Sequence, residues 1–416
     1  MKPTVYILLF IGLLSAPSVY SQRLAIDLLA GEVSKEVPFE MKNGFITIDI
    51  HFDNKLPLTF IFDTGADHTI LFHKSYSDLL GIEYSKRIEI RGSDLQDNTR
   101  HALIARNIFI RLKDQVAVPR DVLILEEELQ LFQESLGFDI VGILGGSFFR
   151  GLIVELDYNK KKIRLYHPSK SKLKKKGYTT FDIEINGNKP YLNTKSLMSP
   201  SDTLNTKLLI DTGAAIPYLL HANTDSSIVI PPFVINGTIG HGISGNLVGY
   251  IGKVHGLSFG EFSFKNVLTL FQDLSNVRDR NVPIVRNGIL GNELLSRFSI
   301  YIDYMNAKLH VKPRKKYNEK FNYDKSGLII FAFGQDLNEF YVKDVFPKTP
   351  AAEAGILPGD IIKKIGFWKS KAWTLDKITN LLQKKDGKKI KMKIERAGEE
   401  IDVQFRLRDF FEESSK

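Results

Sequence analysis

The sequence predicts a mainly β protein made of two homologous lobes followed by a smaller module that mixes helix and strand. Three observations carry this. A set of short motifs occurs twice, in the same order, across two stretches of about 145 residues. Both stretches consist of short apolar-polar alternations bounded by turn residues, the period of half-buried strands. Beyond residue 322 the pattern changes to two apolar runs, a Pro- and Ala-rich segment and a candidate helix. A length of 416 residues accommodates two to four domains, each with its own core. With 31 Gly and 16 Pro, usage is ordinary and excludes a low-complexity chain.

In chain order, Lys2 and the apolar run Val5 to Leu14 precede Val19-Tyr20-Ser21, which predicts an export signal spanning 1–21, cut before Gln22. At about ten residues the run is too short to span a bilayer. Export with no cysteine predicts a bacterial periplasm, cell envelope or extracellular location. Without cysteine, disulfides, thiolate metal sites and a cysteine nucleophile are excluded.

The first lobe is expected over 22–168. Phe45 to Phe52 alternates as a strand, Asp53-Asn54-Lys55 turns, and Leu58 to Phe62 is the next strand. Glu126 to Leu136 reads as a helix, and Ile153 to Leu156 and Ile163 to Tyr166 as strands. Lys170 to Gly177 connects to the second lobe, 169–315, where Ser299 to Ile302 and Leu309 to Val311 repeat the style and Asn292 to Arg297 makes a short helical turn. A linker at 316–322, a module at 323–408 and a tail at 409–416 complete the expected organisation.

The duplication keeps its order and nearly its spacing. Gly142-Ile143-Leu144-Gly145 recurs as Gly288-Ile289-Leu290-Gly291, and Asp157-Tyr158 as Asp303-Tyr304, both at an offset of 146. Asp63-Thr64-Gly65-Ala66 recurs as Asp211-Thr212-Gly213-Ala214 at 148. Homologous lobes tend to pack about a pseudo-two-fold axis, and identical turns near that axis would bring Asp63 and Asp211 together. Two adjacent carboxylates cannot both ionise easily, so they share a proton. One can then draw a proton from water while the other donates to a scissile carbonyl oxygen.

The run Phe62-Asp63-Thr64-Gly65-Ala66-Asp67, followed by Thr69-Ile70-Leu71, resembles the active-site strip of the retropepsin-like aspartic proteases. Two such lobes in one chain resemble the pepsin arrangement and the bacterial exported aspartyl proteases, over about residues 40 to 313. The resemblance implies two β-barrel lobes and an aspartic endopeptidase acting on polypeptides without metal or cofactor. It implies Asp63 and Asp211 as the catalytic dyad, Thr64 interlocked with Thr212, and Gly65 and Gly213 at the substrate floor. Ile143-Leu144-Gly145 and Ile289-Leu290-Gly291 would pack beneath. Ala66, Asp67 and Ala214 would lie at the substrate, Asp67 either holding substrate backbone or capping its own turn. Ala215 departs from the pepsin pattern, which has Ser or Thr there. By position, the cleft would be covered by hairpins from Arg87–Ile90 and Ala102–Ile110, joined by Gly92 to Arg100, and from Ile239 to Ile251.

The C-terminal run Thr349-Pro350-Ala351-Ala352-Glu353-Ala354-Gly355-Ile356, with Gly359-Asp360-Ile361-Ile362, resembles bacterial PDZ domains. That likeness implies a groove for a peptide or a protein C-terminus, with Ser326, Gly327 and Leu328 as the carboxylate-binding loop. Its use would be substrate tethering, regulation or docking of a partner. A catalytically inactive peptide-binding adaptor is the alternative for the chain as a whole.

Other classes fit less well. Gly240-His241-Gly242-Ile243-Ser244-Gly245 matches a dinucleotide fingerprint, but its flanks are β-like where that motif must open a helix. The net charge of +9 sits in Lys-rich linkers and turns without interleaved aromatics, which argues against nucleic acid. The nine histidines form no helical His-x-x-x-His pair.

Overall fold

The computed structural model describes residues 25–90, 100–112, 115–243, 245–274 and 286–411. The export signal, residues 92–99 of the first hairpin, Ser244 and the end of the tail lie outside these.

The chain is mainly β, and each of the first two units is a closed six-stranded ring. In the first, Phe45–Phe52 pairs with Leu56–Phe62, which runs parallel to Gly142–Leu144. The ring continues through Thr69–Leu71, Val118–Leu125 and Arg100–Leu112, which pairs back to Phe45–Phe52. The second repeats this order with Lys189–Ser199, Asp202–Asp211, Gly288–Gly291, Tyr218–His221, Phe262–Gln272 and Gly245–Phe259. Alternation produces the first ring: Ile46, Ile48, Ile50 and Phe52 turn inward, each at most 3% exposed. The expected helix from Glu126 is shorter, Gln130–Leu136, and stops at Gly137, which adopts the left-handed conformation at φ +71°.

A third sheet joins the lobes, in the order Ser34–Pro38, Lys162–Tyr166, Ile153–Asp157, Phe298–Asp303, Lys308–Pro313, Thr179–Asp182. At its centre Glu155 faces Tyr301, its own equivalent at the 146-residue offset, and Val154 faces Ile302. A residue can pair with its repeat equivalent only on a two-fold axis, so the sequence repeat and the spatial symmetry coincide here. Glu155 is buried on this axis and accepts hydrogen bonds from Arg164 Nη1 (3.1 Å) and Tyr166 Oη (2.6 Å). One continuous apolar core runs through both lobes and the joining sheet.

The C-terminal unit has its own core, built on Leu328, Phe340, Ile362, Ile378 and Ile394. Its sheet runs Leu328–Phe333, Glu339–Val345, Ile361–Ile365, Lys389–Arg396, Glu399–Arg406. Helix Leu375–Leu382 is capped by Thr374, whose hydroxyl accepts from Lys377 N at 3.3 Å. The buried Asp360 is paired with Arg396 through two 2.7 Å bonds. The strand Leu328–Phe333 forms one edge of this sheet.

Candidate active site

Asp63 and Asp211 end equivalent strands, each beside the parallel apolar-apolar-Gly segment of its lobe. Asp63 N donates to Leu144 O at 3.0 Å, and Asp211 pairs with Gly291. Both side chains are buried, and their carboxyl groups hydrogen-bond one another. A Cβ on Gly65 would run into the Asp211 carboxyl, and one on Gly213 into that of Asp63. Only glycine lets each loop pass so close to the other lobe's acid.

The two turns are tied reciprocally. Thr64 Oγ1 donates to Ile210 O at 2.7 Å and accepts from Thr212 N at 3.1 Å. Thr212 Oγ1 donates to Phe62 O at 2.8 Å and accepts from Thr64 N at 3.0 Å. Both threonines are fully buried.

The dyad is symmetric in sequence and asymmetric in surroundings. Asp63 Oδ1 accepts from Gly65 N at 2.7 Å and Ala66 N at 3.1 Å, and Asp211 Oδ1 accepts from Gly213 N at 2.8 Å. Burial, followed by the charge of Asp211, pushes the Asp63 carboxyl well above the ordinary range. Burial also raises Asp211, but the hydrogen bond from Asp63 and the Arg286 guanidinium oppose it. The two carboxyls therefore share a proton, and the Arg286 guanidinium favours the charge on Asp211. Arg286 is 6% exposed, and its Nε donates to His221 Nε2 at 3.3 Å. Its repeat equivalent would be Ile140, so no signal in the duplicated pattern marks it. Replacing Arg286 by Met should move the acid limb of the pH–rate profile upward, because Asp211 then ionises at higher pH. An unmoved acid limb would remove Arg286 from this role.

Above the dyad lies a cavity of about 340 Å³. Its walls are mainly apolar, with Phe45, Phe132 and Leu136 from the first lobe, Ala214, Ile216 and Ile239 from the second, and Ile329 and Phe331 from the C-terminal unit; Ser135 and His241 add polar atoms. The hairpin Ile235–Gly242 and Gly245–Phe259 covers it, and Arg100 Nε, from the first lobe's hairpin, donates to Ile243 O at 3.3 Å. The pseudo-dinucleotide glycines lie at this hairpin's turn.

Ala214 lines the cavity, and Ala66 and Asp67 sit on the first active-site loop outside its lining. Asp67 Oδ1 accepts from Asn188 N at 2.9 Å, and its Oδ2 lies 3.4 Å from Lys189 Nζ. This carboxylate fastens the first active-site loop to a turn of the second lobe.

The segment Ser326-Gly327-Leu328 is also engaged within the chain. Asp324 Oδ1 accepts from Ser326 N (2.7 Å), Ser326 Oγ (2.5 Å) and Gly327 N (2.9 Å). An internal carboxylate thus occupies two of the backbone donors that the PDZ likeness implies for a peptide terminus, and burial pushes it up to about 6. Asp324→Ala should strip three donors of their acceptor and lower the unit's stability by about 1–3 kcal/mol. Unchanged amide exchange in Ser326 and Gly327 would contradict this.

No family model matches the chain. Over 107 residues it is 30% identical to a probable CtpA-like serine protease of Staphylococcus saprophyticus subsp. saprophyticus, covering 25% of this chain. The chain spans about 20% of that relative's length. The crystal structure of the aspartic proteinase from Irpex lacteus aligns with 69% of this chain and 99% of its own, at 11% identity and a TM-score of 0.42.

Proposed function

We propose that this protein is an aspartic endopeptidase that hydrolyses peptide bonds in extended polypeptides with Asp63 and Asp211. The observation that carries the reading is the buried, mutually bonded carboxylate pair beneath an apolar cavity. Asp211, ionised beside Arg286, takes a proton from a water molecule as its oxygen attacks the scissile carbonyl carbon. Asp63 gives its proton to the carbonyl oxygen, so the tetrahedral intermediate forms as a neutral diol. Collapse returns a proton to the leaving amine and breaks the C–N bond. The covering hairpin excludes bulk water while this happens. The relative named as a serine protease shares one-fifth of its length with this chain and supports peptidase chemistry only as a class.

The C-terminal unit is read as a PDZ-like module serving the same reaction, and the protein as exported to a bacterial envelope. The test is to incubate the full chain with an unfolded protein from acidic to neutral pH and to identify the products by mass spectrometry. Cleavage over a bell-shaped profile, with a pepstatin-induced rise in Tm, is expected. Cleavage that persists when either acid is replaced would overturn the reading.

A further inference from the structure

Phe331 is 2% exposed, yet it is not part of the core of its own unit. Along the edge strand Leu328–Phe333, Leu328 and Ala332 belong to that core and Ile330 packs against it. Ile329, Phe331 and Phe333 have the opposite parity and face away. Tyr341 and Lys343 of the neighbouring strand pack on its ring from within the unit, and the rest of its cover comes from the second lobe. The ring of His241, beside the turn of the covering hairpin, meets it edge-on at 4.6 Å between centroids and 78° between planes. Ile329 and Phe331 line the same cavity as Asp63 and Asp211.

The junction is fixed at several further points. Tyr341 Oη donates to Glu134 Oε2 at 2.9 Å, joining the C-terminal sheet to helix Gln130–Leu136. Lys253 Nζ donates to Asp409 Oδ2 at 2.9 Å on the hairpin's long strand. A Cβ on Gly237, near the base of the hairpin, would lie 2.8 Å from the Phe346 ring. The edge strand is thus held against the cavity on both sides. Two symmetric lobes alone would build a symmetric cleft; this strand has no counterpart in the repeat.

We propose that the outward face of Leu328–Phe333 is a wall of the substrate cleft, and that Ile329 and Phe331 select a large aliphatic or aromatic side chain of the polypeptide being cut. The proposal rests on the peptidase reading and adds to it two specificity-determining residues from outside the two lobes. The selectivity has a simple cause. A large apolar side chain gains burial against Phe331, Ile329 and Ile239, whereas a polar one loses its water in a cavity whose polar side chains beyond the dyad are few, Ser135 and His241 among them.

The experiment profiles cleavage sites on an unfolded protein with the full-length wild type, Phe331→Ala, Ile329→Ala and Phe331→Leu. The alanine variants should lose about tenfold in their preference for bulky over small residues at one subsite, mainly through KM. Phe331→Leu should restore most of that preference. An unchanged profile in both alanine variants, with Asp63→Asn inactive, would overturn the wall while leaving the dyad intact. Cleavage surviving in Asp63→Asn would overturn the peptidase reading instead. A second measurement does not depend on turnover. Phe331→Trp combined with Asp63→Asn puts an indole in the wall, and its emission should shift with a Leu- and Phe-rich hexapeptide but not with a Ser- and Asn-rich one. No shift, or equal shifts, would also overturn the proposal.

Discussion

Asp63→Asn and Asp211→Asn should each lower peptide hydrolysis by at least about a thousandfold while leaving the fold intact. General acid–base catalysis contributes about 10²–10⁴ in rate. An amide in the dyad can neither take the proton of the attacking water nor return one with carboxyl acidity. The fold survives because an Asn side-chain oxygen can still accept from Gly65 N and Ala66 N, or from Gly213 N. Asp63→Asn should also gain thermal stability at neutral pH. Burial raises both carboxyls in the folded state. A raised carboxyl binds its proton more tightly when folded, so its stability is greatest below the ordinary carboxylate pKa and falls as pH rises towards the folded value. Asp63→Asn removes that loss, so its Tm should exceed the wild type's near neutrality and converge with it in acid. Lost activity with a raised Tm identifies a functional site that costs stability. Either variant keeping its activity, or Asp63→Asn unfolding at the wild-type temperature at every pH, would contradict the shared-proton dyad.

Thr64→Val should destabilise the two-lobe body by about 2–6 kcal/mol. The hydroxyl donates to Ile210 O and accepts from Thr212 N in a fully buried place. Valine keeps the shape and leaves both backbone groups unpaired, at about 1–3 kcal/mol each. Thr212→Val should do the same through Phe62 O and Thr64 N. Thr64→Ser, which keeps the hydroxyl, should recover most of the loss. Because the interlock holds the dyad's two turns in register, kcat should fall along with Tm, and the serine variant should recover both. A Tm within a degree of wild type for Thr64→Val would show that the bonds carry little of the lobe contact.

The meeting of the two acids was legible because their motif is duplicated. A lone Asp-Thr-Gly says little, but two at near-equal distances from two Ile-Leu-Gly segments pointed to an axis with Asp63 and Asp211 beside it. The joining strands Ser34–Pro38 and Thr179–Asp182 carried no such signal. They are short, partly polar edge strands, and their pairing depends on a sheet assembled from both lobes. Arg286 was equally silent: a single arginine outside the repeat acquires meaning only when the fold buries it near Asp211.

Local pattern thus determined the mainly β class, the two-lobe repeat, the paired acids and the separate C-terminal unit, because hydrophobic period and motif spacing are written along the chain. Tertiary structure decided what each residue faces. It turned Asp67 to Asn188 and Lys189, spent the donors of Ser326 and Gly327 on Asp324, and set Phe331 against the covering hairpin. The parity of a strand shows that one face must be covered, and only the packing of distant segments decides what covers it.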